Sequence, residues 1–135
     1  MNLRPGDSAS VVKVIAEDDI RAFAQVSGDF NPIHLDETVA AEGLFGKRVA
    51  HGMLLAAYFS AVIAEKLPGK GSIYLSQTLR FLAPAFIGDE ITVTVEVLEV
   101  MGKGKIKLMT RCTNQSGNAV LEGEAVVLVT EQLNV

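Results

Sequence analysis

The sequence contains few of the residues that build disulfides and metal centres. Cys112 is the single cysteine, which excludes an intrachain disulfide and fits a reducing compartment such as the cytoplasm. Two histidines and one cysteine are also too few for the usual tetrahedral zinc site. We therefore expect a cytoplasmic protein that works without a metal or other cofactor.

Basic residues and long apolar segments are scarce as well. The formal net charge is −4, with 12 Lys and Arg against 16 Asp and Glu, and nucleic-acid binding needs a basic face. The first residues lack the apolar stretch of a signal peptide. The longest apolar run, around residues 49–64, contains His51 and Ser60 and is shorter than the ~20 residues of a membrane span. We expect neither nucleic acid nor a membrane as a partner.

Length and composition fit a single domain over residues 1–135, since 49% of the residues are hydrophobic and can form a sizeable core. Residues 8–15 are short and β-branched and predict a strand. Residues 17–27 predict an amphipathic helix, and Gly28 is a natural end for it. The apolar face of this helix has the spacing i, i+3, i+4, i+7: Ile20, Phe23, Ala24 and Ser27.

Two further helices are predicted in the first half of the chain. Asp36 is a suitable cap for a short helix over residues 37–42. Residues 53–64 are apolar on every face except for Tyr58 and Ser60. A helix that is apolar all round is buried, so this segment predicts a long central helix.

The second half of the chain alternates between apolar and polar residues, which predicts half-buried antiparallel strands. The predicted strands cover residues 73–81, 91–97, 106–112 and 119–130. The last of them ends apolar on both faces, which indicates an interior strand or one that a partner covers. We predict an α+β domain in which one antiparallel β-sheet wraps around a long central buried helix.

Reactive and backbone-special residues crowd into residues 26–36, which we predict to form a loop. Asp29 and His34 are an acid–imidazole pair, and Pro32 restricts Asn31 to extended conformations. A carboxylate that holds an imidazole in one tautomer makes a general base. The same run also fits a plain turn in which Asp29 and Asn31 bond the local backbone and His34 is structural.

Two blocks of this sequence resemble a known family. Residues 27–34, Ser-Gly-Asp-Phe-Asn-Pro-Ile-His, are similar to the hydratase-2 motif of MaoC-like (R)-specific enoyl-CoA hydratases. Residues 48–53, Arg-Val-Ala-His-Gly-Met, resemble the block that opens the central helix of that family. The resemblance covers nearly the whole chain and implies a hot-dog fold, a homodimer and an acyl-CoA thioester substrate. One departure is Ala16, where the family often has Thr or Ser as a helix cap.

The resemblance also implies a reaction and assigns residues to it. In a hydro-lyase of this kind, Asp29 and His34 activate a water that adds to trans-2-enoyl-CoA and gives (R)-3-hydroxyacyl-CoA, reversibly. The backbone N–H of Gly52 would stabilise charge on the thioester oxygen. Asn31 would orient the pair or the water, and Ser60 would lie near the pocket. The compact length resembles the bacterial forms that supply precursors for polyhydroxyalkanoate synthesis.

Each supporting residue has a structural alternative. Gly52 fits a site of close helix–sheet packing, and Asn31 fits a residue that shapes the turn. Ser60 fits a hydroxyl bonded to a carbonyl one turn back. We interpret His51 as a helix-start or packing residue and not as a second base.

Two other functions also remain open at this stage. One is a 3-hydroxyacyl-thioester dehydratase that acts on acyl carrier protein, since hydration is reversible. The other is a non-catalytic acyl-CoA-binding hot-dog domain. The intact pair of Asp29 and His34 argues against the latter, because a binding module needs no proton-transfer groups.

Overall fold

The computed structural model describes residues 2–129, and their strands form one antiparallel sheet. The strands are β1 (Ser8–Val14), β2 (Ile73–Gln77), β3 (Arg80–Phe81), β4 (Glu90–Gly102), β5 (Lys105–Thr113) and β6 (Ala119–Leu128). Their order across the sheet is β1-β4-β5-β6-β2, and β3 also pairs with β6. The last strand is thus an interior one, the first of the two alternatives that its apolar faces indicated. Residue 130 of that predicted strand, and residues 1 and 131–135 of the predicted domain, lie outside the described residues.

The described residues also contain α1 (Glu17–Ser27), α2 (Pro32–Leu35), α3 (Glu37–Ala41) and α4 (Gly52–Glu65). The helices predicted at 17–27, 37–42 and 53–64 are confirmed within a residue or two at their ends. Between residues 2 and 129, no helix combines the length and the apolar character that crossing a membrane requires.

The prediction of a loop over residues 26–36 is wrong at α2, where the chain makes one helical turn. Asn31 is extended, with ψ 124°, and its side-chain Oδ1 accepts a hydrogen bond from the Ile33 N–H. Pro32 then occupies the first helical position, where a missing N–H costs nothing and its fixed φ is already helical. The restriction of Asn31 by Pro32, which had indicated a loop, therefore marks the beginning of a short helix.

Helix caps set the other boundaries near this segment. Asp36 Oδ1 accepts from the backbone N–H groups of Thr38 and Val39 at 2.9 and 3.1 Å, which caps α3 as predicted. Ala16 caps α1 without a side-chain bond, and the Asp19 carboxylate instead accepts from the Ala16 N–H at 3.2 Å.

The core lies between α4 and one face of the sheet. The apolar residues of β4 and β5 that the alternation pointed inward are buried, and so is one side of α4: Ile91, Val93, Val95, Val97, Ile106, Leu108 and Cys112 on the strands, and Leu55, Phe59 and Val62 on the helix. Burial raises the pKa of the Cys112 thiol to about 12, so this free cysteine is an unreactive core residue.

Two predictions of burial are wrong for this chain on its own. One stripe of α4 is exposed and carries Met53, Ala57, Ser60 and Ala61, because the sheet covers only the opposite side of the helix. On β2, which lies at the sheet edge, Ile73 and Leu75 are each 48% exposed. Both surfaces are apolar and uncovered within residues 2–129.

Candidate active site

Local turns shape the segment that carries Asp29. Helix α1 ends at Gly28, whose φ of 81° requires glycine and whose N–H donates to the Ala24 carbonyl at 2.8 Å. The Asp29 N–H donates to Ser27 Oγ, and the Asn31 N–H donates to Asp29 Oδ1, both at 3.1 Å. These bonds leave the second carboxylate oxygen of Asp29 free to face α2.

The structure brings Asp29 and His34 together at the candidate site. His34 Nε2 lies 4.0 Å from Asp29 Oδ2, and the side chains are 10% and 49% exposed respectively. His34 Nδ1 lies 2.7 Å from the Val49 carbonyl, which can only accept, so Nδ1 carries the proton. In the neutral ring the Nε2 lone pair therefore faces the carboxylate. A gap of 4.0 Å is too long for a direct hydrogen bond, but one water oxygen about 2.8 Å from each atom fits it.

The surroundings of His34 favour its neutral form. Burial lowers the pKa of His34 below its ordinary 6.5, and the nearby His51 acts in the same direction. The hydrogen bond to Val49 and the Asp29 carboxylate both raise the pKa and offset part of this effect. An imidazole that is neutral at pH 7 with its lone pair directed at a water site is equipped to act as a general base.

His51 takes part in the cluster to an extent that the sequence did not indicate. It is 2% exposed and precedes the first residue of α4, so the interpretation as a helix-start and packing residue is confirmed. Its ring also stacks on His34 with centroids 3.9 Å apart, and its Nε2 lies 3.0 Å from the Asp29 carbonyl. A histidine next to glycine at the start of an apolar helix was the available signal.

Asp29, His34 and His51 each offer one atom to a group within 4.8 Å, which is compatible with the spacing of metal ligands. Each ring already directs one N–H at a backbone carbonyl. The two rings are stacked at an interplanar angle of 28°, so their remaining in-plane lone pairs do not converge on one point. This geometry argues against an ion shared by the three side chains.

Arg48 is a second residue whose role the sequence did not reveal. Its side chain is 5% exposed, and its Nε–H donates to the His34 carbonyl at 2.7 Å. Its two terminal nitrogens donate to the two carboxylate oxygens of Glu17. The guanidinium thus ties α2, which carries His34, to the start of α1. Its signals in the sequence were its place directly before an apolar run and at the head of the block at residues 48–53.

Gly52 is the first residue of α4, next to His51, and a backbone N–H at this position has no partner within its own helix. The Phe81 ring packs against it so closely that a Cβ on residue 52 would lie 2.5 Å from a ring carbon. The packing alternative for Gly52 is therefore supported, and it does not exclude use of the N–H.

Asn31 and Ser60 differ in how they relate to the pair. Asn31 caps α2 and donates its own N–H to Asp29, so it shapes the turn as the structural alternative stated. Ser60 lies two turns from Gly52, about 12 Å along the helix. It belongs to the exposed stripe of α4.

A mostly apolar cavity of about 330 Å³ opens beside Gly52. Its walls come from α4, β3, β6 and the segments before α4 and after β3: Phe45, Val49, Ala50, Gly52, Leu55, Phe81, Leu82, Ala83, Pro84, Ala85, Val120 and Leu121. Asp29 and His34 are not among these residues, but Val49 is the residue whose carbonyl holds His34. The cavity and the pair are thus neighbours across the segment that leads into α4.

Residues 5–119 match the profile of the family described as MaoC like domain. The chain belongs to the MaoC-like family. A curated (R)-specific enoyl-CoA hydratase of Rhodospirillum rubrum is 46% identical over 129 residues, which are 95% of this chain and 89% of that protein. A 3-hydroxybutyryl-CoA dehydratase of Methylorubrum extorquens is 43% identical over 132 residues, 97% of this chain and 83% of that protein.

A solved structure extends the likeness of this MaoC-like chain to three dimensions. The (R)-hydratase from Aeromonas caviae, described as involved in PHA biosynthesis, superimposes with a TM-score of 0.92 at 45% identity. The match covers 95% of this chain and 98% of that one. The predicted hot-dog architecture, an α+β fold with an antiparallel sheet packed on a helix, is confirmed. The relatives of this chain include enzymes named for both directions of one reaction, hydration and dehydration.

Proposed function

We propose that this protein is a hydro-lyase that adds water to trans-2-enoyl-CoA and forms (R)-3-hydroxyacyl-CoA, with all 135 residues in one hot-dog domain. The observation that carries the proposal is the 4.0 Å spacing between Asp29 Oδ2 and His34 Nε2 in a chain 46% identical to an (R)-specific enoyl-CoA hydratase. Such spacing suits two groups that share one water, and a binding domain has no need of it.

In this mechanism Asp29 and His34 hold the water between them. His34 Nε2 takes a proton as the water oxygen bonds to C3 of the enoyl thioester. The π electrons of the C2–C3 bond move toward the thioester oxygen and give an enolate. The pair then returns a proton to C2, so that one water has been added and no other reagent is consumed. Dehydration follows the same steps in reverse.

The start of α4 is suited to the charge that develops on the thioester oxygen. The Gly52 N–H has no partner within the helix, and the helix dipole favours negative charge at this end. The cavity beside Gly52 would receive the apolar part of the substrate. Under this proposal Gly52 has two roles, since its missing side chain also accommodates Phe81.

A homodimer in the cytoplasm is part of the proposal. Ile73 and Leu75 on the edge strand β2 are exposed, as are Met53, Ala57 and Ala61 on α4. An open sheet edge with apolar side chains is a surface that a second copy covers well. Ser60 lies on the same stripe, so its supporting role in catalysis would be exerted beside the partner. The free, buried Cys112 fits a reducing compartment.

The reaction is tested by mixing the purified protein with crotonyl-CoA and following the loss of the enoyl thioester absorbance. The product is then offered to an (R)-specific and to an (S)-specific 3-hydroxyacyl-CoA dehydrogenase. We expect rapid loss of absorbance and a product that only the (R)-specific enzyme consumes. The same assay with longer enoyl chains and with crotonyl attached to acyl carrier protein measures the preference for chain length and carrier.

Four outcomes would contradict parts of the proposal. A product consumed by the (S)-specific enzyme overturns the stereochemistry. Faster turnover on the carrier protein than on CoA moves the function to that of an acyl-carrier-protein dehydratase. No turnover on any of these substrates leaves a non-catalytic acyl-binding domain. Sedimentation of the protein at the mass of a single chain would overturn the dimer, and Leu75→Lys should produce that monomer if the dimer forms at β2.

A further inference from the structure

His51 contacts both members of the candidate catalytic pair. Its ring stacks on His34 with centroids 3.9 Å apart, and its Nε2 lies 3.0 Å from the backbone carbonyl of Asp29. Since a carbonyl can only accept, His51 Nε2 carries the proton and donates. His51 also directly precedes Gly52. Three groups that the proposed reaction uses therefore meet at one buried side chain.

The segment that carries Asp29 has few other anchors. Apart from the bond to His51, the hydrogen bonds of residues 28–31 in the described chain reach no more than four positions along the sequence. The bond from His51 spans 22 positions. Local turns therefore give the segment its shape, while the bond from His51 fixes where that shape lies relative to His34.

We propose that His51 is a positioning residue, whose Nε2–H bond to the Asp29 carbonyl holds the Asp29 carboxylate at its working distance from His34 Nε2. The catalytic purpose of this distance rests on the proposed hydration. His51 does not serve as a second base, because its Nδ1 is buried and makes no hydrogen bond within the described chain.

The surroundings of His51 make His34 a reporter of this geometry. The titratable groups that face His51 are Asp29 and His34, whereas α1 presents the uncharged ring of Phe23, 4.9 Å away. Arg48 directs its guanidinium to Glu17 and the His34 carbonyl. Among these groups the Asp29 carboxylate raises the pKa of His34. The size of that effect depends on the distance between the pair.

Two variants separate the hydrogen bond of His51 from its ring. His51→Phe keeps a ring that can stack on His34 but removes the donor, and His51→Gln keeps an N–H donor but removes the ring. The chain has two histidines, so either variant leaves His34 as the only imidazole signal in a proton NMR titration. Asp29→Asn is then added to the wild type and to each variant, and the resulting change in the pKa of His34 is measured.

We expect Asp29→Asn to lower the pKa of His34 in the wild type and equally in His51→Gln. In His51→Phe the response should shrink by about half or more, because the carboxylate is no longer held near the ring. In the crotonyl-CoA assay, His51→Phe should lower kcat about 10²-fold at unchanged KM, as misplacement of a catalytic group does. The exposed α1 variant Val26→Ala is the control and should change neither quantity.

If Asp29→Asn lowers the pKa of His34 in His51→Phe by as much as it does in the wild type, the proposal is overturned. If His51→Phe does not fold, His51→Gln decides, since a retained response supports the hydrogen bond as the cause and a lost response refutes it. The wild type could turn over no enoyl thioester while the change in the pKa of His34 on Asp29→Asn still depends on the donor at residue 51. That result would refute the proposed function and leave the positioning role intact.

Discussion

Arg48 and Glu17 form a two-point ion pair that joins the segment before α4 to the first turn of α1. Arg48 Nη1 donates to Glu17 Oε1 at 2.6 Å, and Nη2 donates to Oε2 at 2.7 Å. The third donor of the same guanidinium holds the His34 carbonyl. The segment that carries His34 and the N-terminal helix are therefore fixed to each other through one planar group, which lysine cannot imitate.

Arg48→Lys should destabilise the protein and slow its reaction. We expect the free energy of unfolding to fall by about 1–3 kcal/mol, the usual contribution of a charge-assisted hydrogen bond to a buried carbonyl. Urea unfolding measures this change, and kcat for crotonyl-CoA should fall with it. The matched control is Arg21→Lys, because Arg21 also pairs with Glu17 at 3.0 Å but its side chain is 60% exposed. That variant should unfold like the wild type.

The ion pair also predicts a dependence of stability on pH. The hydrogen bond from Arg48 is the main cause that lowers the pKa of Glu17 below its ordinary 4.5. The contribution of a carboxyl with a lowered pKa is present above the unfolded value and is lost as the pH falls through the folded value. The difference in urea midpoint between wild type and Glu17→Gln should therefore be constant near neutral pH and shrink below 4.5. A difference that grows on acidification would contradict this account, and the exposed variant Glu42→Gln is the control.

Replacement of either member of the candidate pair should abolish turnover with different effects on stability. Asp29→Asn and His34→Asn should each lower kcat about 10²–10⁴-fold, the range for loss of a general acid–base group. Asp29→Asn should melt like the wild type, since an amide oxygen can still accept from the Asn31 N–H. His34→Asn should melt lower, because the buried ring that stacks on His51 is lost. Calorimetry and the hydratase assay together test this, and full activity in Asp29→Asn would remove Asp29 from the site.

The packing of Gly52 and the proposed use of its N–H can be separated in a background that relieves the contact with Phe81. In the wild type, Gly52→Ala should lower the free energy of unfolding by about 1–3 kcal/mol, because the added methyl group is overpacked against the Phe81 ring. In the Phe81→Ala background this loss of stability should disappear. In that background Gly52→Pro differs from Gly52→Ala mainly in the lost N–H. Proline suits this position because it is the first of the helix and His51 is already extended, with ψ 128°.

If the Gly52 N–H stabilises the thioester oxygen, Gly52→Pro should lower kcat about 10²–10³-fold relative to Gly52→Ala in the Phe81→Ala background. Both proteins should show the same thermal melting, which excludes a folding defect as the cause. Equal kcat values for the two would leave Gly52 with a packing role alone.

The rate should fall in acid with the protonation of His34. Burial lowers the pKa of His34 below 6.5, and a general base must be unprotonated, so the acid limb of kcat/KM should lie below pH 6.5. His51 contributes to the lowering, so His51→Gln should move the limb to higher pH. A pH–rate profile of the two proteins measures the shift. An acid limb above pH 6.5 in the wild type would mean that the Asp29 carboxylate raises the pKa of His34 by more than burial lowers it.

Much of the fold followed from periodicity, because helix α1 and strand β4 each bury one face that their residues mark plainly. The candidate pair was also recognisable, since Asp29 and His34 are five residues apart in a segment with its own turn chemistry. The contacts of His51 and Arg48 were missed for one reason. Their contacts span 14 to 31 positions and connect to backbone carbonyls or to a helix end, which no local pattern records.

The sequence by itself determined the antiparallel sheet, the apolar central helix and the two segments that hold the candidate chemistry, because each depends on residue spacing within one element. The tertiary structure decided that the Asp29 carboxylate lies 4.0 Å from His34 Nε2, that a buried histidine bonds the Asp29 carbonyl and a buried arginine bonds the His34 carbonyl, and that Gly52 makes room for Phe81. Within residues 2–129 it also left one stripe of α4 and the edge of β2 uncovered. These are relations between elements, and they follow from packing and long-range hydrogen bonds that form only when the chain is folded.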